Sequence, residues 1–450
     1  MEQRTFEGYQ KGSCAEVWHI AYPAVLTMFS QTAMNFTDAV MVGRLGVGQL
    51  AAVGLAGTLV WGLYSFFNGL VNGVNTFVAQ DYGAERYDGI GRMTWQGIYF
   101  AALSGVILFL ISYRSTSLFR LMGPQQDVQA LGLPYLRIML RGGGLTILWM
   151  CFSAFLRGLG DTRTPLKITL VANALNVVGD YVLIFGKFGF PRLETEGAAI
   201  ATVSANALGT VLFLLVFLRH KRAHLYATRS GWRPAVRDMG RLARIGVPIG
   251  VQWFLDMGSF IIFTAMIGRI GTAQLAASVA SLRLMMTSFL PLVGVGIAAT
   301  TLVGQYIGSG EPEFARKSGN SALRLGLYYT TGIALAFLVF PGSLVALINS
   351  DPEVVRIGTG IIRLAALFEI FDGVGIISGG CLRGAGDTRW TMLTGTTFAW
   401  GLFLPLAYLG GFTLDAGALG AWGGATAYII ALGVVFYLRF RSGKWQSIKI

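Results

Sequence analysis

Met41–Ala52 reads MVGRLGVGQLAA and Met266–Ala277 reads MIGRIGTAQLAA. The two stretches lie 225 residues apart, and at the same spacing Pro23 matches Pro248, Gln80 matches Gln305 and Gly83 matches Gly308. At a spacing of 226, LRGLGDTR (Leu156–Arg163) returns as LRGAGDTR (Leu382–Arg389). Matches that hold one spacing across so much chain make it two copies of one plan.

The 450 residues are 54% hydrophobic and 13% charged, against about 25% charged in a soluble domain. Apolar runs near 20 residues long recur along the chain, the length a membrane span needs. They predict spans near 16–41, 50–76, 93–113, 131–156, 165–186 and 196–218, then near 243–267, 278–303, 321–346, 356–382, 391–411 and 419–440. The expected fold is therefore an all-α polytopic membrane protein of twelve transmembrane helices in two pseudo-symmetric six-helix lobes. The N-lobe covers 1–218, a basic linker 219–242 and the C-lobe 243–450. Six spans per copy is an even number, so both copies run the same way through the bilayer, a recurring plan of secondary transporters.

The net charge of +13 is not spread as a nucleic-acid surface would need, because no basic stripe carries interleaved stacking aromatics. It gathers between spans six and seven, where Arg219, Lys221, Arg222, Arg229, Arg233, Arg237, Arg241 and Arg244 face one acid, Asp238. Such a loop is expected in the cytoplasm, and so are both termini, the C-terminus carrying Arg439, Arg441, Lys444 and Lys449. Cys14, Cys151 and Cys381 show no metal or disulfide spacing and read as small apolar packing residues. The first apolar stretch, Ala15–Val42, outruns a signal-peptide core and is read as a true span.

A carboxylate at a helix centre costs about 2.5–3.5 kcal/mol on insertion scales, so acids inside the spans call for a reason. Asp38, Asp180, Asp256 and Asp372 stand out, with Glu369 as a fifth. Asn176 precedes Asp180 by one turn, Gln252 precedes Asp256 by one turn, and Glu369 and Asp372 share a face. The copies do not duplicate these acids: Phe263 stands where Asp38 would be, and Gln31 where Asp256 would be. Two readings remain open at each: a proton- or sodium-binding carboxyl, or one satisfied by a neighbouring hydroxyl or amide. Asp161 and Asp387, each after Arg-Gly-x-Gly, read as capping and loop-pairing residues. Pro23 and Pro248 remove a backbone bond inside equivalent helices and suit bending.

The VGRLG/IGRIG pair, the doubled LRGxGDTR and twelve spans in 450 residues resemble the MATE family of multidrug and toxic compound extruders, over essentially the whole chain. The resemblance implies a V-shaped fold of two lobes around a central cavity. It also implies export of cationic or amphipathic organic compounds in antiport with Na+ or H+ by alternating access. Asp38 then matches a first-helix coupling aspartate. Asn176, Asp180, Ala198 and Thr202 match an N-lobe cation site of DinF-like members, and Asp256 and Asp372, with Glu369 beside them, match C-lobe acids of NorM-like members. A NorM-like seventh-helix acid is usually glutamate, so Asp256 is a departure. Pro23 matches a first-helix proline implicated in bending. Sodium is implied at Asp38 and Asp180 or at Asp256 and Asp372, with no other cofactor. The expected setting is the bacterial cytoplasmic membrane, the expected state a monomer.

A lipid-linked oligosaccharide flippase of similar architecture is the alternative, but it would call for Arg or Lys facing the cavity to hold pyrophosphate. An intramembrane enzyme is disfavoured, because His19, His220 and His224 form no metal-ligand or nucleophile–base pattern.

Overall fold

The structure is a computed structural model that describes residues 8–123, 125–448 and 450, without the side chains of 220–222. The side chains of His220, Lys221 and Arg222, and Lys449, thus lie outside the described residues. Twelve long helices carry the fold: α1 Cys14–Gly43, α2 Val47–Gly83, α3 Tyr87–Ser112, α4 Gln126–Gly158, α5 Arg163–Phe185, α6 Glu194–Phe217, α7 Val236–Ile270, α8 Thr272–Gly308, α9 Pro312–Val339, α10 Pro352–Gly384, α11 Thr388–Thr413 and α12 Gly417–Arg441. No strand forms among the described residues. Ten of the twelve are long and apolar enough to cross a membrane. The other two, α1 and α10, have the length, but α1 carries Glu16 and Asp38 and α10 carries six charged residues, among them Glu369 and Asp372. At about 1.5 Å per residue, the 37 residues of α2 and of α8 outreach a hydrocarbon core of about 30 Å.

Two stretches depart from the expected map. The apolar run 321–346 is not one span: α9 stops at Val339, and Pro341–Ala346 forms a separate short helix. Pro341 forces the preceding residue out of the helical region, and Phe340 sits at φ −121°, ψ 35°. In α11, wide π-turns at Ala399–Phe403 and Leu409–Thr413 flank Leu404–Tyr408. Pro405 lacks an N–H and its ring crowds the carbonyl four residues back, which accounts for the first widening. Helix α7 also begins at Val236, inside the basic stretch expected to be linker.

The chain forms two compact units. One is Leu26–Gly250. Within it α4 packs on α2, α3 and α6, and α5 on α6. The first part of α7 lies on α2 so closely that a Cβ on Gly69 would stand 2.4 Å from Gly250 Cα. The other unit joins the chain up to Val25 to Val251–Ile450. Within it α10 packs on α8, α9 and α12, and α11 on α12, the same pattern repeated. Here the first part of α1 lies on α8: a Cβ on Gly294 would stand 2.9 Å from Val25 N. Gly69 and Gly294 are repeat partners, as are Val25 and Gly250, so each unit completes itself with the start of the other copy's first helix. The helices run unbroken through Pro23 and Pro248, and each passes from one unit to the other within three residues of its proline.

The doubled LRGxGDTR owes its glycines to packing and turn geometry. A Cβ on Gly158 would stand 2.9 Å from Asn75 O, and one on Gly384 2.2 Å from Thr300 O, so these glycines let α4 sit on α2 and α10 on α8. Gly160 and Gly386 take φ of +84° and +90°, open to glycine at little cost. Helix-ending bonds follow in both copies, Asp161 N to Leu156 O at 2.9 Å and Asp387 N to Leu382 O at 2.8 Å. The two aspartates then part ways. Asp161 accepts from Thr164 N at 2.9 Å and from Thr164 Oγ1 at 2.7 Å, whereas Asp387 pairs with Arg439 at 2.9 Å.

The basic linker is a strap on α3. Trp95 Nε1 donates to Thr228 O at 2.7 Å, Gln96 Nε2 to Arg233 O at 3.3 Å, and Ala235 N donates to Gln96 Oε1 at 3.2 Å. Asp238, the one acid there, pairs with Arg92 at 2.9 Å and with Arg241 at 3.3 Å.

Candidate cation and cargo site

Asp38 on α1 and Asp180 on α5 meet side chain to side chain within the first unit. Asp180 and Asn176 are fully buried. Asp38 Oδ1, both carboxyl oxygens of Asp180 and Asn176 Oδ1 are buried and receive no hydrogen bond. The remaining hydrogen bonds face away from these oxygens: Asn176 Nδ2 donates to Thr202 Oγ1 at 3.4 Å, and Thr202 Oγ1 donates to Ala198 O at 3.0 Å. All five N-lobe residues singled out by sequence are thus gathered. Tyr135 of α4 lies in electrostatic range of both carboxyls and packs beside Val42, Ile184 and Ala198; sequence reasoning passed it over because an aromatic in an apolar run reads as core.

Four oxygens gathered in this way would suit a cation. Like charges about 4 Å apart repel by roughly 4 kcal/mol at an effective dielectric near 20. One bound proton or oxygen-seeking metal ion removes that repulsion, and an all-oxygen donor set suits a hard cation. Among the described residues no cluster of three or more His, Cys, Asp or Glu suited to a metal ion occurs, so any sodium here would rest on two carboxylates and neutral oxygens.

Thr202 also lines a cleft of about 70 Å³, together with Gln31, Met34, Thr146, Trp149, Met150, Ala172, Asn173, Ala205 and Asn206. No Lys or Arg is in this lining. Two helix faces join the cleft to the carboxyls: lining residue Asn173 is followed by Asn176 and Asp180 on α5 at spacings of three and four, and lining residues Thr202 and Asn206 follow Ala198 on α6 at spacings of four. That periodicity marks one face of each helix, and sequence reasoning, which paired Asn176 with Asp180, did not extend it to Asn173 and Asn206.

The C-lobe acids occupy the second unit and are looser as a group. Asp256 contacts Gln252, one turn before it, and feels Arg383 of LRGAGDTR. Glu369 contacts Ser288 and lies in range of Asp372. Tyr428 lies in range of both Asp256 and Asp372. Asp256 therefore shares its charge with an arginine, whereas the neighbour of Asp38 is another carboxyl. Asp256 Oδ1 and Glu369 Oε1 are likewise buried with no donor.

The MatE family model matches residues 23–182 and 248–409, once in each copy. The chain belongs to the MATE family. Membership answers the enzyme alternative, since MATE proteins are transporters. The chain is 31% identical over 429 residues to the multidrug resistance protein NorM of Burkholderia vietnamiensis, covering 94% of this chain and 92% of that one. It is 28% identical over 433 residues to a probable multidrug resistance protein NorM of Thermotoga maritima, covering 96% and 93%. In fold it matches the outward-facing structure of a multidrug resistance MATE family transporter at a TM-score of 0.88, with 20% identity and 98% of each chain covered. Each MATE repeat therefore spans one family match, with the prolines 23 and 248 at the start of each.

Proposed function

We propose that this MATE protein is a secondary active exporter of cationic or amphipathic organic compounds, driven by inward movement of Na+ or H+. The observation that carries the reading is the double membership of Thr202, which lines the cleft and accepts the hydrogen bond from Asn176 beside Asp38 and Asp180. Cargo in the cleft and a coupling cation at the carboxyls then draw on the same negative charge. Occupancy of one weakens the other, and that mutual exclusion is what antiport requires. The relatives named as multidrug resistance proteins support the cargo class.

In this reading, a cationic compound enters from the cytoplasm or inner leaflet while the carboxyls lack their cation. The lobes then change their exposure by bending at Pro23 and Pro248, and an external proton or sodium ion at Asp38 and Asp180 releases the cargo outward. Membrane voltage adds about 2.3 kcal/mol per charge per 100 mV to ion entry. The C-lobe acids Asp256, Glu369 and Asp372 serve as a secondary cation site. The protein acts as a monomer in the cytoplasmic membrane with its basic linker and both termini inside. The flippase alternative is disfavoured by the cleft's lining, which offers oxygens, sulfurs and an indole but no cation for a pyrophosphate.

The test is ethidium efflux from cells expressing the wild type or Asp38→Asn, each given an external sodium pulse and an acid pulse. Efflux in the wild type under one pulse, absent in Asp38→Asn, supports the reading and identifies the ion. Wild-type protein that is present in the membrane and moves no dye under either pulse overturns it.

A further inference from the structure

The cleft's polarity is set by a hydrogen-bond chain that ends outside it. Tyr64 on α2 is buried, at 3% exposure, and its hydroxyl donates to Met139 O. A carbonyl can only accept, so the single Tyr64 proton is committed there. The Tyr64 hydroxyl is also hydrogen-bonded to the Thr146 side chain. With its own proton spent, Tyr64 must accept in that bond, and Thr146 must donate. Thr146 Oγ1 then has only lone pairs left for its other partner, Asn206, whose Nδ2 donates to it at 3.0 Å. The direction runs Asn206 to Thr146 to Tyr64 to Met139 O, and it is fixed by the carbonyl at the end.

The consequence reaches the cleft through Asn206 and Thr146, both of which line it. Asn206 cannot rotate its amide without placing an oxygen against a hydroxyl that has no proton to give, so it offers the cleft Oδ1. Asn173 is held the same way by a different carbonyl: its Nδ2 donates to Ser30 O at 3.0 Å and to Ser30 Oγ at 2.7 Å, which leaves Oδ1 for the cleft. Thr202 spends its proton on Ala198 O. Two amides of the lining thus present oxygen acceptors, and Thr202 an oxygen already shared with Asn176, beside the thioethers of Met34 and Met150 and the indole of Trp149. A cation that carries N–H groups satisfies those oxygens, whereas a quaternary ammonium of the same charge meets the indole face and leaves the acceptors unpaired.

We propose that Tyr64 is a positioning residue which, through Thr146, locks the amide of Asn206 and so makes the cleft select N–H-bearing ammonium groups over quaternary ones. The cleft is roughly half the volume of a cavity that takes a benzene ring, so it reads the head group of a cargo molecule and not its ring system. This rests on the reading of the chain as a cation exporter, and it names the chemistry of the head group that this site reads.

The test uses two probes of equal charge, a naphthylalkyl dimethylamine, protonated at pH 7, and its trimethylammonium counterpart. Their binding is measured on the purified full-length protein in nanodiscs, at one pH and one salt concentration. The wild type is expected to bind the dimethylammonium probe on the order of tenfold more tightly, the difference of one hydrogen bond to a charged group. Tyr64→Phe and Thr146→Val are expected to bring the ratio toward one, while Thr146→Ser, which keeps the relay, preserves it. A merely structural role for Tyr64 would weaken both probes together and leave the ratio alone, and that result overturns the proposal. So does a wild-type ratio near one, or the absence of binding by either probe. Ethidium efflux from cells expressing the wild type then separates a failed relay from a failed export reading, since efflux persists in the first case only.

Discussion

Asp38 meets the carboxyl of Asp180 side chain to side chain, while Phe263, which stands 225 residues after Asp38, packs on Phe403 with ring centroids 4.9 Å apart. Phe263 also meets Trp422 edge-on at 5.2 Å. One copy has kept a polar nest where the other has built a dry aromatic core. The division of labour predicts unequal mutants. Asp38→Asn or Asp180→Asn should lower cation-driven efflux by at least about tenfold, within the range of a typical coupling energy, and Asp256→Asn should leave most of it. Initial rates of dye efflux at matched membrane expression measure this. Equal loss in all three would spread coupling over both lobes.

The same nest is a reservoir of instability. An unsatisfied buried acceptor costs about 1–3 kcal/mol, and an amide in place of one carboxylate supplies the missing donor. Asp180→Asn is therefore expected to keep or raise the thermal midpoint of the detergent-solubilised protein while it abolishes coupling. A fall in the midpoint would mean that the pair is held by partners other than one another.

The glycines of the doubled motif give a sharper stability test. A Cβ at Gly384 would stand 2.2 Å from Thr300 O, a backbone atom that cannot step aside, whereas nothing lies within 4 Å of one at Gly54 or Gly57. Gly384→Ala should cost about 1–3 kcal/mol, as overpacking does. Gly57→Ala should stabilise by up to about 1 kcal/mol through helix propensity. Thermal unfolding of the two variants side by side decides it, and equal midpoints would contradict the packing.

Much of this architecture was legible from the chain. Periodic apolar runs and the doubled motifs placed the helices, and the mismatch of Asp38 with Phe263 already separated the two lobes chemically. What escaped was non-local. Nothing near Val25 says that the start of α1 packs on α8, because that contact joins residues more than 260 apart. The break at Phe340 and the first wide turn of α11 follow from Pro341 and Pro405, whose presence was visible but whose outcome depends on what surrounds the freed carbonyls. Tyr64 reads as a core aromatic until its hydroxyl partner is placed, and Tyr135 until the two carboxyls near it are. Asn173 and Asn206 were the avoidable misses, since their spacing to Asn176, Asp180 and Thr202 is plain helical periodicity.

The strap formed by the linker predicts protease behaviour that composition alone would get wrong. Arg229 is an exposed trypsin site, yet Thr228, Arg233 and Ala235 have backbone groups tied to Trp95 and Gln96. Cleavage needs local unfolding of that segment. The native protein should resist limited trypsinolysis between α6 and α7, and Gln96→Leu should speed cutting at Arg229 with little change in cutting elsewhere. Equal rates in both proteins would show the strap to be loose.

Competition of cargo and coupling cation through the N-lobe carboxyls is measured by equilibrium binding of the protonated dimethylamine probe to purified protein during a sodium titration and an acid titration. Both titrations stay in the range where the probe remains charged. In the wild type, one of the two cations should weaken probe binding by at least about tenfold, and in Asp180→Asn neither should. A wild-type affinity that is unchanged across both titrations would contradict the account.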